Sequence, residues 1–436
     1  MSNAIKNQRG ILDKLKIKKL NPMQEEAILA IHSTSDIVLL SPTGTGKTLG
    51  FLLPIIAELD KTCQEVQTMI IVPSRELAIQ IEQVAREMGT GHKVNCVYGG
   101  RSFSKDKHDL QHPPAILVGT PGRVADHLRR RTFIANNVKT LILDEFDKSL
   151  EVGFENEMKD IVSLLRNVEK RILTSATQGV EIPEFVRMKN PITIDYLGDG
   201  ISELQIKTII SPDKDKLQTL VDTLHHIGNN PGIIFCNFKE TIQRVSDYLT
   251  KNNISHGCFY GGLEQNERER ALIKFRNGTH QILLATDLAA RGLDVPEIKF
   301  IIHYHLPLKS EEFTHRNGRT ARMHNEGTAY VLKWKNEDLP DFIISDVIED
   351  LKPASPPKPS SWATMLISGG RQDKISKGDI AGFFFRQGDI KKDELGVIEL
   401  KQDCAFVAVH SSKVNHLIKT LNNGRIKKRK VRVVLI

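Results

Sequence analysis

The chain has 436 residues, 40% hydrophobic and 26% charged, which excludes a disordered or fibrous protein and leaves room for two to four ordinary globular domains. Its 61 Lys and Arg exceed its 53 Asp and Glu by eight, and the whole surplus sits in residues 361–436, where 15 basic residues meet 7 acidic ones. No apolar run reaches the roughly 20 residues of a membrane span, and residues 1–11 lack the apolar core of a secretory signal.

The predicted elements begin with short β-branched or Leu-rich runs between residues 25 and 200: Ile37-Val38-Leu39-Leu40, Met69-Ile70-Ile71-Val72, Ile116-Leu117-Val118 and Leu141-Ile142-Leu143. Longer amphipathic stretches such as Glu76 to Met88 separate them. That alternation predicts βαβ units around a buried parallel sheet.

Directly after the first run stands Ser41-Pro42-Thr43-Gly44-Thr45-Gly46-Lys47-Thr48, followed by an apolar helix-like stretch from Leu49. In this setting the N–H groups of Thr43, Gly44, Thr45 and Gly46 turn toward phosphate oxygens, Lys47 neutralises the β and γ phosphates of ATP, and the Thr48 hydroxyl ligates Mg²⁺. Ser41 occupies the place of the leading glycine in the strict pattern. The fourth run ends in Asp144-Glu145-Phe146-Asp147. An acidic cluster at a strand end is by itself a turn signal. With a phosphate loop upstream, Asp144 becomes the carboxylate that holds Mg²⁺ through water, and Glu145 the group that polarises the attacking water.

A second series of runs follows Leu197 to Ser202: Ile206 to Ile210, Gly232 to Cys236, Gln281 to Ala285, Lys299 to His303 and Gly327 to Leu332. Two α/β domains are implied, over residues 1–200 and 201–350. Pro353, Pro356, Pro357 and Pro359 then mark a stiff extended linker, residues 351–362, because proline donates no backbone hydrogen bond. Residues 363–436 form the basic region. A basic appendage meets nucleic acid or an anionic surface, or is simply a solvated tail. Cys63, Cys96, Cys236, Cys258 and Cys404 are scattered and form no CxxC pair, which argues against disulfides or zinc and for a reducing, cytoplasmic setting.

At this point the chain resembles the DEAD-box RNA helicases. Gln24, within Leu20-Asn21-Pro22-Met23-Gln24, fits the adenine-reading glutamine of that family. Pro73-Ser74-Arg75-Glu76-Leu77-Ala78, Gly99-Gly100 and Thr120-Pro121-Gly122-Arg123 fit its RNA-backbone motifs, and Ser175-Ala176-Thr177 fits the motif linking hydrolysis to strand separation. Later come Ile234-Phe235-Cys236-Asn237, Gln265 with Arg268, Ala285 to Asp294 and His315-Arg316-Asn317-Gly318-Arg319-Thr320-Ala321-Arg322.

The resemblance implies two tandem RecA-like domains that close on ATP and RNA. Lys47, Thr48, Asp144 and Glu145 would belong to the first; Arg319 and Arg322, charge-stabilising guanidiniums, and Asp294, a ribose ligand, to the second. Arg75, Arg123 and Arg291 are implied as RNA-backbone contacts or as holders of the groove loops. Gly99, Gly100 and Gly122 would let backbone amides approach phosphates, and Thr120 is implied among the RNA-binding residues. Closure would bend one strand of a short duplex and displace the other.

Three departures stand out. Phe146 replaces the family's alanine, Asn317 replaces an aliphatic residue, a change expected to matter little, and no aromatic precedes Gln24, which leaves an aliphatic platform such as Ile17 for adenine.

Residues 363–436 resemble the C-terminal RNA-binding domain of DbpA-type helicases through Ile367 to Arg371, Lys374 to Ile380, Phe406 to Val409 and Gly424 to Val433. An α+β, RRM-like βαββαβ unit is expected, without the aromatic RNP signature, and with Lys427, Lys428, Arg429 and Lys430 at the RNA. Of Phe383-Phe384-Phe385, two are expected in the core. The linker is expected to set reach without contacts to the helicase core.

The implied function is local unwinding of short RNA duplexes in large-subunit ribosome assembly, by a monomer that meets ribosomal RNA and pre-ribosomal particles and no membrane. An ATP-dependent RNA clamp and a general RNA chaperone are the alternatives.

Overall fold

The structure, a computed structural model, describes residues 2–151, 153–177, 181–198, 204–287, 298–320, 326–345 and 347–436. Residues 2–198 form a first unit around a seven-stranded parallel sheet. Its strands are β1 (Asp36–Leu40), β2 (Thr68–Ile71), β3 (Val94–Val97), β4 (Ile116–Gly119), β5 (Thr140–Leu143), β6 (Lys170–Ser175) and β7 (Ile192–Asp195), in the order β3-β4-β2-β5-β6-β1-β7.

Strands covered on both faces read as unbroken apolar runs, and these do. Alternate residues feed two cores: Ile37, Leu39, Ile70, Ile116 and Val118 enter one, while Val38, Met69, Ile71, Leu117 and Leu143 enter the other. Phe146 belongs to this second core and is 2% exposed. The ring that departs from the family pattern is therefore packing material beneath the sheet.

The second unit carries the strands β8 (Leu204–Ser211), β9 (Gly232–Phe235), β10 (His256–Phe259), β11 (Ile282–Ala285), β12 (Phe300–His303), β13 (Gly327–Trp334) and β14 (Val347–Ile348). All pair parallel, in the order β10-β11-β9-β12-β13-β8-β14. Position for position this is the order of the first sheet. The chain thus repeats one architecture twice.

The same unit continues into an antiparallel sheet of β15 (Trp362–Ile367), β16 (Leu395–Leu400), β17 (Ala405–His410) and, after the short hairpin β18 (Arg425–Ile426) and β19 (Arg429–Lys430), β20 (Val433–Leu435). Its order is β16-β17-β15-β20, the RRM-like order, with helices Lys377–Arg386 and Val414–Leu421 supplying core residues from one face. Phe383 and Phe384 are buried and Phe385 is 38% exposed, the division expected of that triplet.

Residues 349–360 run without helix or strand. The expectation of reach without contacts to the helicase core is not met, because residues on both sides of this segment are joined by ion pairs, Arg276 with Glu399 and Glu269 with Lys401. No helix among the described residues is long and apolar enough to cross a membrane.

Candidate nucleotide site and RNA groove

In a parallel sheet the functional edge is the carboxyl ends of the strands. In the first unit β5, β6 and β1 lie side by side, with Leu143 opposite Leu173 and Ser175 opposite Leu40. The loops that leave them, from Asp144, Ser175 and Ser41, therefore meet. The neighbouring half, β3-β4-β2, delivers Gly99-Gly100, Thr120 to Arg123 and Arg75 to the same edge.

Gly44 and Gly46 have φ of 87° and 85°, which turns the loop ahead of helix Lys47–Glu58. Gln24 fixes that turn. Its Nε2 donates to the Gly46 carbonyl at 3.1 Å, and a Cβ at Gly46 would collide with the same nitrogen. Asn21 closes a capping box with Gln24 and donates from Nδ2 to the Thr45 carbonyl at 2.9 Å. The glutamine expected to read adenine thus also grips the phosphate loop. Ile17 lies half-buried against the core.

Ser41 fits the glycine position because its hydroxyl is fully buried and shares a 2.7 Å hydrogen bond with that of Thr45, which donates to the Pro42 carbonyl. Lys47 is buried and its ammonium donates to the carbonyls of Ser41 and Pro42. Thr43 and Thr48 lie in and just after this loop.

Asp144 is 4% exposed and accepts from the Thr174 hydroxyl and the Glu145 N–H. Burial pushes its carboxyl up from the ordinary value, more than the Thr174 hydrogen bond and nearby Lys47 hold it down. A buried carboxylate whose charge is disfavoured, with the Lys47 ammonium of the phosphate loop nearby, is a donor that fits a hard dication. Glu145 has φ of 48°, a left-handed conformation that costs a non-glycine residue about 1–3 kcal/mol. The turn is held by its own N–H, which also donates to the Thr174 hydroxyl at 3.2 Å.

Ser175 and Thr177 do come together: the Thr177 N–H donates to the Ser175 hydroxyl at 3.0 Å. The Thr177 hydroxyl donates to Asp147 Oδ2 at 2.9 Å. The last carboxylate of Asp144-Glu145-Phe146-Asp147 is thereby tied to the Ser-Ala-Thr loop. Sequence reasoning passed over Asp147 and Thr174, although both lie in or beside the motifs.

In the β3-β4-β2 half, Arg75 spreads over the Gly99-Gly100 turn, where a Cβ at Gly100 would stand 2.5 Å from its Nη1. Thr120 is buried, and Gly122 faces open space in the first turn of helix Pro121–Arg129. Arg123 is committed inward. Its Nη1 donates to Asp106 and its Nη2 to the Arg101 carbonyl, both at 2.7 Å. Arg101 also pairs with Asp106, and His127, fully buried, stacks on Phe103 at 4.5 Å. Arg123 therefore ties the start of helix Pro121–Arg129 to the segment that follows Gly99-Gly100.

In the second unit Arg319 is 4% exposed and its Nε donates to the His315 carbonyl. Arg322, Arg291 and Asp294 lie outside the described residues. The hub of this unit is a residue the sequence reading left without a role. Arg316, 1% exposed, donates to Asp287 through Nε and Nη2, to the His305 carbonyl and to Asn237 Oδ1. It binds together the three motif loops that follow β9, β11 and β12. Asn317, expected to matter little, accepts from His303 Nε2 at 3.0 Å in the buried interior. Both ring nitrogens of His303 thus have partners, because Arg316 Nη1 lies 3.5 Å from Nδ1.

On the C-terminal hairpin Lys427, Lys428, Arg429 and Lys430 are all exposed. Lys427 pairs with Asp379 at 2.7 Å and Arg429 with Asp373 at 3.5 Å, whereas no ion pair involves Lys428 or Lys430 among the described residues.

Comparison with known proteins now decides the family. Residues 21–185 match the DEAD/DEAH box helicase domain, 215–324 the helicase conserved C-terminal domain and 364–435 the DbpA RNA binding domain. The ATP-dependent RNA helicase DbpA of Escherichia coli (strain K12) is 32% identical over 98% of this chain and 96% of its own. The chain belongs to the DEAD-box ATP-dependent RNA helicases, DbpA type.

The DbpA of Bacillus subtilis (strain 168) is similar to this helicase at 29% identity, over 94% of this chain and 93% of its own. Among solved structures, S. cerevisiae Dbp5 bound to RNA and ADP BeF3 superposes with a TM-score of 0.68 at 26% identity, covering 76% of this chain and 88% of that one. Mss116 bound to ssRNA and UDP-BeF gives 0.71 at 25%, covering 80% and 78%. The two RecA-like sheets and the C-terminal RRM-like domain of this helicase accord with the fold read from its sequence.

Proposed function

We propose that this helicase uses ATP to separate short RNA duplexes locally, in assembly of the large ribosomal subunit in the cytoplasm, as a monomer. Residues 1–200 and 201–350 are taken as its two RecA-like halves, 351–362 as the connecting segment and 363–436 as the domain that anchors it to ribosomal RNA.

Lys47 and the amides of Thr43 to Gly46 hold the phosphates of ATP. Mg²⁺ would be held by the Thr48 hydroxyl and, through water, by Asp144, and it supplies positive charge at the β and γ phosphates. Glu145 accepts the proton of the attacking water. Arg319 and Arg322 stabilise charge on the γ-phosphoryl once the second half closes, and Asp294 holds the ribose. Arg291 acts on RNA from the second half, as Arg75 and the loops held by Arg123 do from the first.

The observation that carries this reading is the Thr177–Asp147 hydrogen bond, which lets a change at the phosphates reach the loop associated with strand separation. The test is ATP hydrolysis with and without RNA, run beside displacement of a short strand. Hydrolysis stimulated by RNA and accompanied by displacement is the expected result. ATP-dependent RNA binding without stimulation means a clamp, and overturns it. For the ribosomal target, crosslinking in cells should recover large-subunit RNA, and recovery of unrelated RNAs in equal measure means a general chaperone.

A further inference from the structure

Arg316 and Asn317 close helix Ser310–Asn317, and Arg319 follows within one turn. The Arg319 N–H donates to the Arg316 carbonyl and the Thr320 N–H to the Asn317 carbonyl, both at 3.0 Å. The Thr320 hydroxyl ties this turn to the Ile298 carbonyl at 2.7 Å. Whatever fixes the end of the helix therefore also fixes the point from which the Arg319 side chain starts.

His303 stands against that end. Its ring has no exposed surface and lies between Phe313 of the same helix, 4.9 Å away, and Phe235 of the neighbouring strand β9, 6.4 Å away. Phe235 also lies under the Arg316 guanidinium, at 5.2 Å. The two consecutive residues of the helix grip opposite nitrogens of this ring: Arg316 Nη1 at Nδ1, 3.5 Å, and Asn317 Oδ1 at Nε2, 3.0 Å. Arginine can only donate. Nδ1 must therefore accept, which puts the ring proton on Nε2, where the Asn317 carbonyl oxygen takes it. Burial, and then the Arg316 charge, push His303 down to about 3, so the ring carries no second proton.

An aliphatic residue at position 317 would undo this order. The Nε2–H would have no acceptor in a buried place, and the other tautomer would aim an Nδ1 proton at Arg316 Nη1. Asn317 thus selects the tautomer, and the tautomer decides whether Arg316 meets an acceptor or a donor. Arg316 in turn holds Asp287, the His305 carbonyl and Asn237.

We propose that Asn317 and His303 are positioning residues for ATP hydrolysis: by fixing one imidazole tautomer they hold Arg316, and with it the helix end from which Arg319 reaches the γ-phosphoryl. This rests on the reading of Arg319 as the residue that stabilises charge there. A misplacement of about 1 Å, caused far from the chemistry, can cost about 10²-fold in rate.

The test is RNA-stimulated ATP hydrolysis by the full chain, with a short single-stranded RNA as the probe. Asn317→Leu should lower kcat about tenfold or more, with KM for ATP and RNA affinity within about twofold. His303→Phe together with Asn317→Leu replaces both partners by apolar groups and leaves no buried donor orphaned. That double variant should keep the thermal midpoint of the unmodified protein and still show the low kcat. In an Arg319→Ala background, Asn317→Leu should cost nothing further, because residues that act through one another are not additive. Full kcat in the double variant makes the pair packing alone and overturns the proposal, and so does an undiminished loss in the Arg319→Ala background. Arg319→Ala with unchanged RNA-stimulated kcat is a separate result: it removes the reading of Arg319 itself, and the proposal with it.

Discussion

Arg123 donates to Asp106 across 2.7 Å, and the carboxylate that receives it has no exposed surface. Asp106 sits on the helix Phe103–Asp109 that follows Gly99-Gly100, whereas Arg123 opens the helix after Thr120. One buried pair thus fixes the spacing of the two loops that follow β3 and β4. Asp106→Asn should weaken RNA binding about tenfold or more while unstimulated ATP hydrolysis stays within twofold, because breaking a buried pair costs about 3–5 kcal/mol locally. RNA titration and thermal unfolding check it together. Unchanged RNA affinity in a folded variant would show that the loops need no such brace.

The Thr177 hydroxyl is the link from the carboxylate motif to the Ser-Ala-Thr loop. Thr177→Val keeps the shape and removes the bond, a loss of about 0.5–1.5 kcal/mol. Strand displacement should fall by up to about tenfold, with RNA-stimulated ATP hydrolysis nearly intact. Equal loss of both would place Thr177 in hydrolysis itself.

Glu145 is held in a strained turn with its N–H on Thr174 and Asp144. Glu145→Gln removes the proton acceptor and should cut turnover by about 10²–10⁴ while ATP and RNA stay bound. Measuring both in one sample separates a chemical defect from lost binding.

On the hairpin, Lys427 and Arg429 already have carboxylate partners, and Lys428 and Lys430 have no ion pair among the described residues. Replacing Lys428 and Lys430 by Ala should reduce the slope of log affinity against log salt by about 0.7–0.9 for each phosphate that is no longer neutralised. Replacing Lys427 should change it less, because that ammonium must first leave Asp379, whose carboxyl the lysine holds at about 2.

Burial holds His303 at about 3, and His305 and His280 at about 4, all in the second unit. In the unfolded chain each binds a proton near its ordinary 6.5. Between these values the unfolded state carries more protons, so stability is complete above pH 6.5 and declines as pH falls, by up to about 1.4 kcal/mol per unit for each group. The thermal midpoint should drop between pH 7 and pH 5, and His303→Gln should flatten that drop. A midpoint independent of pH in this window would contradict it.

The central strands were legible because a strand covered on both faces must be apolar throughout, as at Met69 to Val72 and Gly232 to Cys236. Val94–Val97, His256–Phe259 and Lys170–Ser175 were missed, since Asn95, Gly257 and the leading Lys170-Arg171 break the apolar run while register with neighbours keeps the strand. The loop from Ser41 to Thr48 was legible for a different reason: Gly44 and Gly46 mark a turn of positive φ between an apolar strand and an apolar helix. Arg316 and Asp106 could not be ranked from sequence, because what distinguishes them is burial against partners 29 and 17 positions away. The pairing of Arg276 with Glu399 was hidden for the same reason. A run of prolines states that a segment is extended and says nothing of where its far end comes to rest.

In both parallel sheets the first strand of the unit lies between the last ones: β1 pairs with β6 and β7, and β8 with β13 and β14. During synthesis, at about 5–20 residues per second, β1 must wait roughly 10–30 s for its neighbours to leave the ribosome. The phosphate loop therefore gains its backing last in the first unit. Nucleotide binding by the nascent chain becomes a clock for completion of that unit, and a truncation just short of Lys170 should leave the motif intact and unable to hold ATP.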